Sequence, residues 1–296
     1  MRKVLSLTLV MLSFAVTAFA QMTTSALSGS VEMQDTKEEV INAVVEATHD
    51  ESGTRYMAVS NIDGRLSIQG MRTGNYTVKV SYVGYQTKVF KNVKLELGET
   101  YALNVWLSQD ATELTEIVVS GKASKFAAEK TGASTNITNS MISNLPTVSR
   151  SITDVTRLSP YGGNGMSFAG ANGKMTNFTV DGANFNNNFG LSESLPGGGS
   201  PISLDAIEEM QVVISPFDVR QTNFIGGGVN AITKSGTNTY KGTAYIYHQN
   251  ENMRGDAVER EQIPSARDRD KTTTYGFTLG GPIIKNKLFF FVSSKW

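Results

Sequence analysis

Short runs in which apolar and polar residues alternate fill the first third of the chain, and they constrain its fold most. In residues 76–82, Tyr76, Val78, Val80 and Tyr82 share one face, whereas the other face is polar. This period of two is that of a β-strand with one buried face. Seven such runs, separated by glycine- and asparagine-rich turns, predict a small antiparallel β-sandwich over residues 21–110. The runs are residues 27–33, 41–48, 56–60, 66–69, 76–83, 87–97 and 102–107.

Composition excludes several classes of function. The 296 residues carry a formal net charge of zero and include no cysteine. Only 18% of the residues are charged, so the basic footprint of a nucleic-acid-binding protein is missing. Without cysteine there is no disulfide, no thiol catalysis and no iron–sulfur cluster. We therefore expect no nucleic-acid partner and no cofactor.

The N-terminus has the features of a secretory signal peptide. Arg2 and Lys3 form a charged start, residues 4–16 are mostly apolar, and Ala18-Phe19-Ala20 fits a cleavage site with small residues. The alternative is a membrane anchor, but a spanning helix needs about 20 apolar residues. The sequence predicts a signal peptide over residues 1–20 and an exported mature chain that begins at Gln21.

Two histidines, His49 and His248, are the candidates for a zinc site. They are far apart in the sequence and have no companion glutamate at the spacing of a zinc peptidase, whose metal needs clustered ligands. His49, followed by Asp50 and Glu51, is expected to lie in a solvated turn. No catalytic or metal-binding residue is predicted, and the chain is not expected to be an enzyme.

Residues 136–237 predict a small α+β unit rich in glycine and asparagine. Short helices are expected at residues 139–144 and 149–158, because Leu145-Pro146 and Ser159-Pro160 end them. Asp181-Gly182, between two extended runs, predicts a type I′ hairpin, whose two central residues need positive φ. The glycine triplets 197–199 and 226–228 lack the Gly-Lys-Ser/Thr sequence of a phosphate-binding loop. The run 184–188 has two open interpretations, a ligand-contacting loop and a solvated turn.

The last sixty residues or so have the pattern of membrane β-strands. Runs are predicted at residues 239–248, 272–280 and 287–296, and in the second Tyr275, Phe277 and Leu279 face one way. A charged stretch, 251–271, is typical of a long extracellular loop, and residues 281–286 of a short periplasmic turn. A soluble β-sheet is the alternative.

A short β-branched run at residues 115–120 lies in a small, polar linker, predicted over residues 111–135. Such a run is a good template for a partner chain that adds a β-strand. The alternative is a last strand of the preceding sandwich.

Two groups of motifs resemble known families. Gly29-Ser30-Val31 and the segments 61–66 and 74–85 resemble the carboxypeptidase-regulatory-like domain, a transthyretin-like β-sandwich that commonly precedes outer-membrane receptors in Bacteroidetes-type bacteria. Leu145-Pro146, Val180-Asp181-Gly182 and Gly226-Gly227-Gly228, in this order, resemble the plug domain of TonB-dependent receptors over residues 136–237. Asn223-Phe224, in place of a Tyr-Gly pair, and the segment 280–291 are similar to the Oar-like branch of that family.

The resemblance implies a mainly β protein in which a sandwich, a TonB box, a plug and the first strands of an incomplete barrel (238–296) follow one another. It implies a TonB box at Glu116, Ile117, Val118 and Val119. The implied partners are TonB with its inner-membrane energising complex, outer-membrane lipid and an unknown transported substrate. The implied location is the Gram-negative outer membrane, with the N-terminal domains in the periplasm.

Length adds one expectation. A plugged barrel has about 22 strands, whereas residues 239–296 suffice for three. The chain is therefore expected to be the N-terminal part of a receptor, and a gene fragment, a partial sequence and a frameshifted product stay open as explanations. Two other functions also stay open, an exported adhesin or assembly module without transport and a truncated product without function.

Overall fold

The structure, a computed structural model, describes residues 23–109, 117–120, 133–147, 150–186, 195, 200–214, 221, 225–253, 257–258, 261–262 and 271–296. The chain divides into two compact units, Met1–Thr233 and Lys234–Trp296. The predicted signal peptide, Glu116 and most of the predicted linker lie outside the described residues. No helix in the described ranges is long and apolar enough to cross a membrane.

Eight strands form the β-sandwich at the start of the first unit. They are β1 (Ser25–Met33), β2 (Val44–His49), β3 (Arg55–Val59), β4 (Arg65–Met71), β5 (Gly74–Ser81), β6 (Lys88–Leu95), β7 (Thr100–Ala102) and β8 (Val105–Leu107). In one sheet β1 pairs with β4, β7 and β8, and the other has the order β3-β2-β5-β6. A further strand, β9 (Ile117–Ser120), extends the second sheet beyond β6.

The predicted apolar face of residues 76–82 lies in the core of the sandwich. Tyr76, Val78 and Val80 are completely buried, and Tyr82 packs against the same cluster from a partly buried position. Each fully buried valine of this kind stabilises the fold by about 1.5–3 kcal/mol relative to an exposed one. The predicted period of two is confirmed here, since it separates core residues from solvent.

The predicted β-sandwich is confirmed, but not all of its strand pairs are antiparallel as expected. Strands β7 and β8 run parallel to β1, and β9 runs parallel to β6. The single run predicted at 102–107 is interrupted at Leu103, whose N–H donates to the carbonyl of Ser28 at 2.7 Å. The Leu103 carbonyl also occupies the position that a Cβ on Gly29 would take, so only glycine fits at this crossing.

A second five-stranded sheet completes the first unit. Its strands are β10 (Ala133–Thr138), β11 (Asn177–Val180), β12 (Ala183–Asn184), β13 (Ile207–Ile214) and β14 (Gly228–Thr233), in the order β10-β13-β14-β11-β12. Only β11 and β14 are parallel to each other. Strand β10 begins at Ala133, within the segment predicted as linker.

Two short helices pack on this sheet's apolar cluster. Helix α1 (Asn139–Asn144) has the predicted bounds, and helix α2 (Ile152–Thr156) is shorter than the predicted helix. The Ser151 hydroxyl accepts bonds from the N–H groups of Thr153 and Asp154, and the Asp154 carboxylate accepts one from the Ser151 N–H, so Ser151 and Asp154 form a capping box. Ile152 and Val155 are completely buried.

The second unit contains a three-stranded antiparallel sheet in the order β15-β18-β19. Its strands are β15 (Lys241–Gln249), β18 (Thr272–Ile284) and β19 (Leu288–Lys295), and a separate pair joins β16 (Ala257–Val258) to β17 (Glu261–Gln262). Strand β18 continues four residues past the predicted run, so the connection to β19 is shorter than predicted. That tight turn contains Asn286 at a φ of 62°.

Candidate functional site

The candidate partner-binding strand, β9, lies on the edge of the sandwich. Its residues pair in parallel with β6, with Ile117 opposite Lys88 and Ser120 opposite Lys91. Of the described strands, β9 is the last in its sheet, so one of its two backbone edges pairs with β6 and the other does not pair with a described strand. Glu116, the first predicted box residue, lies outside the described residues.

Both sequence interpretations of this segment therefore remain open. As a last strand of the sandwich, it shares the sheet with β6. As a partner-pairing strand, it is held extended, with one edge able to accept a further strand. Pairing with TonB stays a prediction.

Asp181 and Gly182 form the predicted hairpin between β11 and β12. Their φ angles are 48° and 82°, and Val180 pairs with Ala183 directly across the turn. The Asp181 carboxylate also accepts bonds from the N–H of Thr233 at 2.9 Å and from its hydroxyl at 2.7 Å. The turn is thereby tied to the end of β14, which explains a need for aspartate beyond its tolerance of positive φ.

The glycines at 226–228 allow close packing. A Cβ on Gly226 would lie 2.5 Å from the Cβ of Ala171, and one on Gly227 would lie 3.0 Å from the ring of Phe168. Gly228 is buried as the first residue of β14. These contacts give the triplet a packing role, whereas a role in function stays a prediction.

The polar run after β12 folds back onto β11. The side-chain amides of Asn184 and Asn186 donate to the Oδ1 atom of Asn177 at 3.2 and 2.9 Å. The Asn186 Oδ1 atom in turn accepts a bond from the Phe178 N–H. These side chains hold the turn on its own strand, and residues 187 and 188 lie outside the described residues.

His49 is not in a solvated turn, which corrects the sequence prediction. The side chain is buried, its ring packs edge-on against Tyr76 at 5.0 Å, and its Nδ1 atom lies 2.9 Å from the Ser52 hydroxyl. Burial, aided by the nearby Arg72, lowers the pKa of His49. Among the described residues, no group of acidic residues and histidines could hold a metal ion.

A polar contact between the sandwich and the second sheet was not predicted from the sequence. After β6 the chain turns at Leu97, whose peptide group bonds to Asn136, Glu209 and Gln211. Glu209 and Gln211 lie in β13, where burial of both strand faces leaves no alternating pattern to detect. The available signal was a glutamate and a glutamine two residues apart, on one face of a strand that is otherwise apolar apart from Glu208.

The three-stranded sheet of the second unit has two chemically different faces. Tyr275, Phe277 and Leu279 of β18 are exposed, while Gly276 and Thr278 between them are buried. The ring of Trp296 stacks on Tyr275 at 5.4 Å, near one end of the apolar face. On the other face the hydroxyls of Thr243 and Thr278 lie 2.7 Å apart. The predicted alternation of residues along this strand is confirmed.

Two family models match parts of the chain. Residues 26–108 match the carboxypeptidase regulatory-like domain, and residues 232–296 match an outer membrane beta barrel domain. Two solved structures are partly similar. The siderophore receptor PirA from Acinetobacter baumannii has 23% identity and a TM-score of 0.40, covering 55% of this chain and 24% of that one. The ferric enterobactin receptor PfeA from Pseudomonas aeruginosa has 19% identity and a TM-score of 0.42, covering 58% and 25%.

A curated relative aligns with most of the chain. The TonB-dependent transporter Oar of Myxococcus xanthus is 25% identical over 291 residues, which are 93% of this chain. The chain spans 26% of the length of that relative. This alignment and the barrel-domain match support a location in the outer membrane. The chain is thus a homologue of the TonB-dependent transporter Oar, and in it a segment that matches the carboxypeptidase regulatory-like domain precedes one that matches an outer membrane beta barrel domain.

Proposed function

We propose that the chain forms the N-terminal part of a TonB-dependent outer-membrane receptor for energy-coupled uptake of a substrate. The substrate binds at the outer face of plug and barrel, and TonB, energised from the inner membrane, pulls on the chain at residues 116–119. The sandwich and the box lie in the periplasm. No covalent chemistry is proposed, so no residue is assigned a catalytic role.

The observation that carries this proposal is the position of the extended strand β9 along the sequence. It follows the carboxypeptidase regulatory-like domain and precedes the proposed plug sheet, in a homologue of a TonB-dependent transporter. A strand that ends its sheet offers backbone N–H and C=O groups to a partner strand. Strand addition needs few specific side chains, because main-chain hydrogen bonds supply the affinity.

The apolar face of β18 and its neighbours supports the outer-membrane part of the proposal. Closed β-barrels and helices are the structures that satisfy their backbone hydrogen bonds inside lipid. Exposed tyrosine, phenylalanine and leucine on one face, with threonine and glycine on the other, suit a lipid-facing strand.

Proline at position 118 tests the coupling step, because it removes a backbone N–H from the strand. We expect Val118→Pro in the intact receptor to weaken binding of TonB's periplasmic domain at least about ten-fold, which corresponds to about 1.4 kcal/mol. Uptake should be lost, while binding of substrate at the cell surface should be unchanged. Binding can be measured by titrating the TonB domain against the purified receptor.

Val118→Ala is the matched control, since it trims the side chain and keeps the N–H. Its TonB binding should stay within about three-fold of the native receptor. The N–H groups of residues 117 and 118 point to opposite edges of β9, so native-like TonB binding by both Ile117→Pro and Val118→Pro would contradict the proposed box. Undiminished function in a strain without TonB would favour the adhesin or assembly module instead.

A further inference from the structure

The turn that follows β6 is bound to the plug sheet through its backbone. Leu97 is completely buried. Its N–H donates to the Oε2 atom of Glu209 at 3.2 Å, and its carbonyl accepts from the Gln211 side-chain amide at 2.7 Å and from that of Asn136 at 3.3 Å. Both backbone polar groups of one residue, its N–H and its C=O, are therefore satisfied by side chains of the plug sheet.

The three side chains form one socket, defined here as Asn136, Glu209 and Gln211. Asn136 of β10 is the direct cross-strand partner of Gln211 of β13, so their side chains share a face. Glu209 lies two residues before Gln211 and shares that face too. Only 5% of Glu209 and 2% of Gln211 is exposed. Rigid strands thus preorganise the socket around the Leu97 peptide.

Each member of the socket also has one oxygen without a partner. Among the described residues, the Oδ1 atom of Asn136 and the Oε1 atoms of Glu209 and Gln211 are buried and form no hydrogen bond. Three unpaired acceptors beside one peptide are costly, because buried polar groups normally have partners. A hydroxyl proton on Glu209 supplies a donor to this set, whereas an ionised Glu209 adds only acceptors.

The surroundings of Glu209 also favour its protonated form. The pKa of Glu209 is raised to about 8, mainly by burial; Glu96 and Glu99 contribute to the rise, while the Leu97 N–H and Lys94 oppose it. The cross-strand neighbours of Glu209, Thr138 in β10 and Ile232 in β14, carry no charge.

We propose that the Leu97 turn and its socket are a lock that fastens the carboxypeptidase regulatory-like domain to the plug, and that a proton on Glu209 keeps this lock closed. The lock goes beyond the proposed uptake function and does not depend on it. It binds a segment of this chain, the turn at residues 96–99, and releases it when the carboxyl ionises.

The lock lies at the end of the strand that also holds β9. Strand β6 pairs with β9 through Lys88–Lys91 and reaches the socket two residues after its last residue, Leu95. A closed lock therefore connects the candidate partner-binding strand to the plug sheet through the sandwich, in addition to the covalent linker. When the lock is open, this second connection is lost, and β9 is joined to the plug sheet through the covalent linker.

Hydrogen exchange of the Leu97 amide measures the lock directly. The experiment uses the intact protein in detergent, compares pH 5 to 9, and divides each rate by the intrinsic rate of an unprotected amide. The folded pKa lies above the unfolded one, so closure is complete below about 4.5 and is lost as the pH rises towards about 8. We expect the opening equilibrium of Leu97 to rise about ten-fold per pH unit in this window, because one proton is released.

Two variants distinguish an effect of the Glu209 proton from a general loss of folding. Glu209→Gln keeps a neutral donor and should remain protected with no pH dependence. Glu208→Gln changes the exposed neighbour on the opposite face and should behave like the native protein. Protection of β14 amides in each variant shows that the plug is folded. A Leu97 amide whose corrected exchange ignores pH in the native protein, or loses protection in Glu209→Gln while β14 stays protected, overturns the proposal.

Discussion

At the scale of residues, Gly226 allows a close approach to Ala171 because it has no side chain. A Cβ there would lie 2.5 Å from the Cβ of Ala171, a distance that real Cβ atoms do not reach. We expect Gly226→Ala to lower the free energy of unfolding by about 1–3 kcal/mol, because overpacking forces the two segments apart. Denaturant titration of the intact protein measures this loss.

A compensating change tests the packing explanation. Ala171→Gly in the Gly226→Ala background removes the opposing methyl group and should recover more than half of the lost stability. Ala171→Gly alone serves as the control for the effect of a new glycine. If the double variant is no more stable than Gly226→Ala, the close approach is not the cause.

Residues also show where local sequence suffices. The type I′ turn at Asp181-Gly182 was predictable, because positive φ at two successive positions selects these residue types. The burial of His49 was not, because its partner Tyr76 is 27 positions away and the local sequence, rich in charge, favoured solvent. Glu209 was missed for the same reason, since its partner is Leu97.

At the scale of elements, β9 has two backbone edges with different neighbours. In a strand the N–H groups of successive residues point to opposite edges. Ile117→Pro and Val118→Pro therefore remove amides from different edges. We expect one variant to increase hydrogen exchange in the paired segment of β6, residues 88–91, about ten-fold, and the other to leave it near the native rate.

Alanine at each position is the control, because it keeps the N–H. Equal effects of the two prolines on β6 would mean that β9 does not hold the parallel register Ile117 to Lys88. The variant that leaves exchange in β6 unchanged is then the one that has lost an amide on the other edge of β9. A sixth strand could pair with the sheet at that edge.

The predicted elements differ in how well the sequence located them. The antiparallel pairs β2–β3 and β5–β6 each follow two alternating runs joined by a short connection, which the pattern reveals. The parallel pairs of β1 with β7 and β8 join segments about 70 residues apart, and a pattern with a period of two carries no information about direction.

At the scale of the whole molecule, the sheet of the second unit has one exposed apolar face and one face of small and polar residues. Leu279 lies on its exposed apolar face, and Thr274 lies on the opposite face. We expect Leu279→Arg in the intact receptor to disfavour insertion by up to about 2–4 kcal/mol, which is the cost of arginine on a lipid-facing strand when it lies at the bilayer midplane. Heat-modifiable gel mobility, which reports a closed barrel, should be lost or strongly reduced.

Thr274→Arg places the same charge on the other face and should keep the heat-modifiable band. Loss of that band in both variants would indicate a general folding defect, and its retention in both would contradict a lipid-facing Leu279.

The sequence by itself determined the class of each region. Period-two alternation, turn residues and ordered motifs depend on local backbone geometry and on which faces are buried, so they identified the sandwich, the hairpin and the two-faced strands of the second unit. The tertiary structure alone decided which edges meet. Ile117–Ser120 pair in parallel with β6, and the socket binds the backbone of Leu97. These contacts bring together residues up to 114 positions apart. Such contacts depend on how strands are ordered in space, which no local pattern encodes.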